Sequence, residues 1–277
     1  MKHSIGALLL AFAVLCSGSE EAAAAGGGKA AAKGQGNRIY QVMWQGENVG
    51  GRLTINGFTV SDFKGGPVTG TAAVNVWLTG RNEIRAELRK KDPKAPASFS
   101  LGASGLAMGD VVSTGDRGNL FHVMLADADL SGRTPKVVTK TFNTSLDFSS
   151  HLLASGPSRF GEREVLEYAV RLHGLFRKKD ARAILQAMEV KAEDYARAYG
   201  RPVADFRESV ASMLKEDFFK GRLAGIDAKK LRAEKVNGLW HIRDGDAELI
   251  RTRSSDGSTS ELPIFVGDIE GKLMVVR

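Results

Sequence analysis

Between Leu231 and Arg277, short apolar-alternating runs are broken by the pairs Asn237-Gly238, Asp244-Gly245, Asp256-Gly257 and Glu270-Gly271. Asn and Asp tolerate a left-handed backbone and Gly adopts it freely, so each pair marks a tight hairpin turn. The spacing predicts an antiparallel meander of about four or five strands. A sheet with one apolar face needs a cover. The residues upstream supply it, because they read as an almost unbroken helical block.

That block opens near Glu162. Val165, Ala169, Leu172 and Phe176 fall on one helical face, with Glu162 and Glu164 at the start and Arg177, Lys178 and Lys179 at the end, as the helix dipole favours. Asp180 is placed to cap a second helix. A third carries Tyr195 and Tyr199 and stops at Gly200. Pro202 opens a fourth, with Val203, Phe206, Val210, Met213 and Phe218 inward. By phase Asp217 lies near that row, so it is the carboxylate expected to approach the apolar side.

Residues 37–150 read differently. Leu53 with Ile55, Phe58 with Val60, Ile84 with Ala86 and Leu88, and Phe121 with Val123 and Leu125 alternate at period two. Gly-rich turns separate about six to eight such strands, which predicts a β-sandwich. The cluster Arg89-Lys90-Lys91 beside Asp92-Pro93 reads as a turn. A change to Ser, Gly and Pro marks residues 151–161 as a linker. The expected architecture is therefore two domains: an all-β sandwich over 37–150 and, over 162–277, an α+β domain with helices packed on a curved antiparallel sheet.

The first residues have the parts of a secretory signal: Lys2 and His3, an apolar run from Ile5 to Leu15, and small residues through Ala23 and Ala25. Residues 1–25 are expected to be removed and 26–36 to form a flexible leader, leaving no transmembrane span. The competing route, lipidation at Cys16, wants a small residue where Leu15 stands. Cys16 is the only cysteine, so its loss leaves no thiol, disulfide or thiolate metal site. Signal removal takes one cation and two anions, Lys2, Glu20 and Glu21, from a chain of net charge +7. A basic, periplasmic or secreted protein meets acidic partners. Export argues against nucleic acid.

Two stretches resemble known architectures. Ile55-Asn56-Gly57-Phe58 with Val76-Trp77-Leu78-Thr79-Gly80-Arg81-Asn82-Glu83-Ile84 resembles a hairpin and strand entry of galactose-binding-like jelly rolls. There the resemblance implies that Gly80 and Asn82 shape a turn and Ile84 enters the core. Val236-Asn237-Gly238-Leu239-Trp240-His241-Ile242, after the helices, resembles the Trp-bearing hairpin of the NTF2-like, cystatin-like superfamily. This likeness spans roughly residues 160–277 and implies helices on a strongly bent sheet around a cone-shaped pocket.

No catalytic motif stands out. The mature chain keeps His122, His151, His173 and His241, none in a metal-ligand spacing, and no metal or cofactor is expected. For an NTF2-like pocket, acid/base chemistry on a small apolar substrate would fall to Tyr168, His173 and Asp217. Trp77 and Trp240 are candidate ligand-binding residues, and Trp44 joins Trp77 as a sugar platform if the sandwich binds carbohydrate. Arg243, Arg251 and Arg253 form a candidate basic docking surface for another envelope or secreted protein. The leading expectation is a non-catalytic interaction protein, with a periplasmic immunity or inhibitor protein as its most concrete form.

Overall fold

The computed structural model describes residues 38–107, 118–132, 134–153 and 159–277. The signal, the leader and Cys16 lie outside the described residues, as does most of the Ser/Gly/Pro stretch. The chain is a β-rich, mixed α+β protein of antiparallel sheets and helices.

The first eight strands are β1 (Arg38–Glu47), β2 (Val49–Ile55), β3 (Phe58–Lys64), β4 (Val68–Ala73), β5 (Thr79–Lys90), β6 (Ser98–Ala107), β7 (Asn119–Leu125) and β8 (Lys136–Asp147). They form two four-stranded sheets, ordered β4-β1-β6-β7 and β3-β2-β5-β8, that share a sandwich-like core. Strand β5 shows how alternation sets this up: Ile84, Ala86 and Leu88 are fully buried while Glu83, Arg85, Glu87 and Arg89 face out. The Asn56-Gly57 turn has φ of 48° and 81°, the mirror-image hairpin geometry that pair permits. Asn82 is buried and shapes its turn through its own amide. Its Oδ1 accepts from Thr79 N at 2.8 Å and Asn56 Nδ2 at 2.9 Å.

Four helices follow: α1 (Glu162–Lys178), α2 (Ala181–Ala187), α3 (Glu189–Tyr199) and α4 (Val203–Met213). Asp180 caps α2, accepting from Ala183 N at 3.0 Å, and α3 stops at Gly200 with φ 61°. Helix α4 ends earlier than its apolar row suggests, because Leu214–Phe218 winds as a π turn. The wider turn carries Phe218 inward and leaves Asp217 exposed, which corrects the expectation that Asp217 approaches the apolar side.

The last strands are β9 (Arg222–Leu223), β10 (Leu231–Val236), β11 (Leu239–Asp244), β12 (Ala247–Glu248), β13 (Ile250–Arg253), β14 (Thr259–Leu262), β15 (Ile264–Ile269) and β16 (Lys272–Val275). The four turn dipeptides sit at the predicted bends, but a single meander does not result. After Gly245 and the short β12 the chain leaves the first sheet, and β13 pairs with β9 on one side and β14 on the other. The outcome is one sheet ordered β10-β11-β15-β16, with β12 on β11, and a smaller one ordered β14-β13-β9.

The larger of these sheets is covered on both faces. Ile242, Ile264, Val266 and Val275 point into a core with Val165, Ala169, Leu172 and Phe176 of α1. Leu239, Phe265 and Val276 point the other way, into a second core with Phe58 and Val76 of the sandwich half and Tyr199 and Phe206 of the helices. Phe265 lies 5.8 Å from Phe58 and 5.3 Å from Trp77, edge-on to both. His151 and Leu152, assigned by sequence to a linker, belong to this seam. They sit in a helical turn, Ser149–Leu152, where Leu152 is fully buried. A full aromatic side chain removed from such a core costs about 3–5 kcal/mol. Phe58→Ala is expected to lower stability by that amount in denaturant unfolding, and a loss under 1 kcal/mol would show that the seam is loosely packed.

Candidate functional site

The densest set of buried charge lies in the seam. Asn75, fully buried, accepts from Tyr40 N at 2.7 Å and donates to Arg38 O at 2.8 Å and Ala198 O at 3.0 Å, which ties β1 to α3. Next to it the Arg277 side chain, 2% exposed, donates to Val76 O from Nε at 2.9 Å and from a terminal nitrogen at 2.6 Å. Its other terminal nitrogen reaches Asp194 Oδ2 at 2.6 Å, and His151 Nδ1 lies 2.9 Å from the same carboxylate. The guanidinium also lies 5.5 Å from the Phe148 ring and 5.7 Å from that of Trp77.

Burial opposes ionisation of Asp194, but the His151 hydrogen bond and the Arg277 charge outweigh it and hold the carboxyl below its ordinary value. Burial lowers the Arg277 guanidinium despite Asp194. Lys191, one turn before Asp194 on α3, is 7% exposed and has no ion pair among the described residues; it lies over the Tyr195 ring at 5.9 Å. Burial, helped by the Arg277 charge, brings its amine down to about 8. The cluster holds two buried cations against one buried anion. The hydrogen bonds of Arg277 and Asp194 are spent on the chain itself, so that pair bolts the two halves together.

The residues expected to act as acid and base are not brought together. His173 is buried on α1 with Nε2 2.9 Å from Ala224 O. Among the described residues the buried Tyr168 hydroxyl has no hydrogen-bond partner, and burial raises it to about 12. Asp217 is at the surface. Trp77 is stacked among Phe58, Phe265 and Arg277, while Trp240 is half-buried on the opposite face of its sheet, beneath Lys235. Trp44 packs inward against Phe63 and covers Gly70, so neither Trp44 nor Trp77 offers a free ring face. Of the docking arginines, Arg251 pairs with Asp244 at 3.0 Å, Arg243 lies 4.0 Å from Glu248 and donates to Asp246 O, and Arg253 is exposed. Among the described residues no group of His, Cys, Asp and Glu is set to hold a metal, and no helix is long and apolar enough to cross a membrane.

A different surface emerges from strand parity. In the β4-β1-β6-β7 sheet the core takes Tyr40, Val42, Ala72, Phe99, Leu101, Ala103 and Leu125. The alternate residues face away from it: Gln41, Met43 and Gln45 on β1, Thr69 and Thr71 on β4, Ser100, Gly102 and Ser104 on β6, and Leu120, His122 and Met124 on β7. None carries a formal charge; Glu47 stands at the rim. In the partner sheet the outer face carries Arg52, Asp62, Glu83, Arg85 and Glu87, with Arg52 2.7 Å from Asp62. Met124 is 75% exposed, far above Leu120 at 37%. A shallow depression of about 400–500 Å³, lined by Gln45, Thr69, Ser100 and Met124 among others, opens at that end. The signal was in the sequence, because the strand that gives Phe121, Val123 and Leu125 to the core must turn Leu120, His122 and Met124 outward.

Comparison with protein-family models, with curated proteins and with solved structures returns no match.

The Lys191 amine, about 8 in the fold against 10.5 when free, sets a pH dependence. Between those values the unfolded chain binds more protons, so stability rises with pH from about 8 to 10.5; below 8 the full cost is present. At about 1.4 kcal/mol per tenfold, that cost is roughly 3 kcal/mol. Lys191→Met is expected to gain much of it at pH 7 and to flatten the alkaline rise in denaturant midpoints. An unchanged slope would place the titration elsewhere.

Proposed function

We propose that this is an exported, non-catalytic interaction protein of the cell envelope that contacts a folded partner protein through the uncharged outer face of the β4-β1-β6-β7 sheet. The observation that carries this reading is the charge partition: in a chain with 26% charged residues, the described residues of this sheet face carry no charge up to its rim, and its edge strand exposes Met124. Charge depletion with exposed methionine is the compositional mark of interface cores. Hydroxyls of Thr69, Thr71 and Ser100 supply hydrogen bonds to a rim without the cost of desolvating ions.

In this reading the sandwich half presents the face, and the α+β half, the NTF2-like module of the sequence resemblance, braces it through the seam. A periplasmic immunity or inhibitor protein, which occludes one toxin or lytic enzyme, is the form that fits a single flat recognition face best. The alternative reading, acid/base catalysis in an NTF2-like pocket, draws less support, because Tyr168, His173 and Asp217 lack a common hydrogen-bond network. Carbohydrate binding draws less as well, since the rings of Trp44 and Trp77 are packed against protein.

Met43 lies on the inner strand β1 and Thr71 beside it on the edge strand β4, where a cation meets solvent in the free protein and is stripped of it in a complex. Met43→Arg and Thr71→Arg are each expected to weaken partner binding by a factor of about thirty or more, on the order of 2 kcal/mol, with the unfolding midpoint nearly unchanged. The check is capture from an envelope extract of the source cell, followed by titration of the recovered protein. Recovery of a stoichiometric partner that binds both variants as tightly as the parent would move the interface off this face; recovery of none would remove the reading.

A further inference from the structure

The uncharged face ends at a strand that has a partner on one side only. β7 pairs with β6 and is the last strand of its sheet among the described residues, where no strand receives the N–H and C=O that every second residue directs away from the sheet. Other edges carry the devices that discourage pairing. β3 has Asp62 and Lys64, β8 has Lys136 and Lys140, β10 has Arg232, Glu234 and Lys235, and β16 has Lys272. β4 is free of charge, but it follows Pro67 and displays threonines. β7 has neither charge nor proline; its pairing with β6 skips Leu120, which bulges between the Phe121 and Asn119 rungs, and from Phe121 to Met124 it is apolar on both faces: Met124 is exposed outward, and Phe121 and Val123, though core-facing, stay half-exposed along the flank.

Its sequence is symmetric about His122. In Leu120-Phe121-His122-Val123-Met124, apolar residues stand at equal distances on either side. We propose that β7 is a homodimerisation edge, pairing antiparallel with the β7 of a second copy about a two-fold axis at His122. In that register Leu120 of each copy meets Met124 of the other, Phe121 meets Val123, and the two His122 rings face each other. For a chain of net charge +7, an uncharged edge is the one on which two copies meet without repulsion. The product is a continuous eight-stranded sheet that doubles the uncharged face. The inference rests on the edge alone and holds whether or not the face binds a partner protein.

The pairing of two imidazoles also makes the contact sensitive to acid. His122 looks across to Gly102, and the β6 and β1 side chains around it are Ser100, Ser104 and Met43. The turn Asp127–Leu130 packed beside β7 carries Asp127, engaged with Lys90 and Ala97 N, and Asp129, engaged with Ala126 N. Glu47 stands at the far rim. None of these carboxylates is placed to neutralise two protonated rings.

Sedimentation equilibrium of the full-length exported chain tests this. The expected mass is that of two chains at high concentration, falling to one chain in the Leu120→Lys/Met124→Lys variant with its thermal midpoint kept. Dimer dissociation is expected to be about two- to fivefold easier at pH 5 than at pH 8, and His122→Asn to remove that difference. In the exported chain, from which Cys16 is expected to be gone with residues 1–25, His122→Cys is expected to form an intermolecular disulfide under mild oxidation, since the register places the two residues opposite each other. A single-chain mass at every concentration, a dimer that survives the two lysines, or a dimer that His122→Cys does not cross-link would each overturn the proposal.

Discussion

The guanidinium of Arg277 is the contact on which the arrangement of the two halves depends. It reaches into a seam of aromatic and aliphatic side chains and donates both to the carbonyl of Val76 and to the carboxylate of Asp194. Hydrophobic contact supplies most of the attraction there, but it is non-directional and would tolerate many relative orientations. A buried cation does not, because each unmet hydrogen bond of a charged group costs more than a misplaced methyl. The sandwich half is thus held at one angle against the sheet that carries Phe265.

The seam explains why the carboxy-terminal sheet reads as it does. A sheet with one solvated face alternates apolar and polar residues, whereas Ile264, Phe265 and Val266 run apolar without a break, because one face meets α1 and the other meets Phe58 and Trp77. With this sheet buried in the middle, the surfaces left for recognition are the outer ones. The two outer faces of the sandwich half differ sharply: one is a ladder of paired charges, which keeps water, and the other is uncharged and ends at the exposed Met124. The stability of the seam and the recognition face belong to one design, since a rigid body presents a face with little entropy left to lose on binding.

Much of the fold was legible because its signals are local. Asn56-Gly57 adopts the backbone its residue types favour, Asp180 caps the helix it precedes, and β5 alternates as its charges dictate. What was not legible depends on residues far apart in the chain. The switch of β13 and β14 to a second sheet is set by β9, a strand of two residues with no periodicity to find. The seam cluster joins His151, Asp194 and Arg277, which nothing in their spacing connects, and His151 looked like part of a linker. Asp217 was misplaced because the helical phase of 3.6 was carried through a stretch that winds as a π turn. The uncharged face was half visible: the inward residues of β7 stood out, and the missing charge on its outward ones was as informative as any motif.

A buried polar bolt in an apolar seam makes the two halves one cooperative unit. Differential scanning calorimetry of the protein reads that cooperativity. A single transition is expected, with calorimetric and van't Hoff enthalpies that agree. Two resolved transitions, with one half melting while the other stays folded, would contradict it.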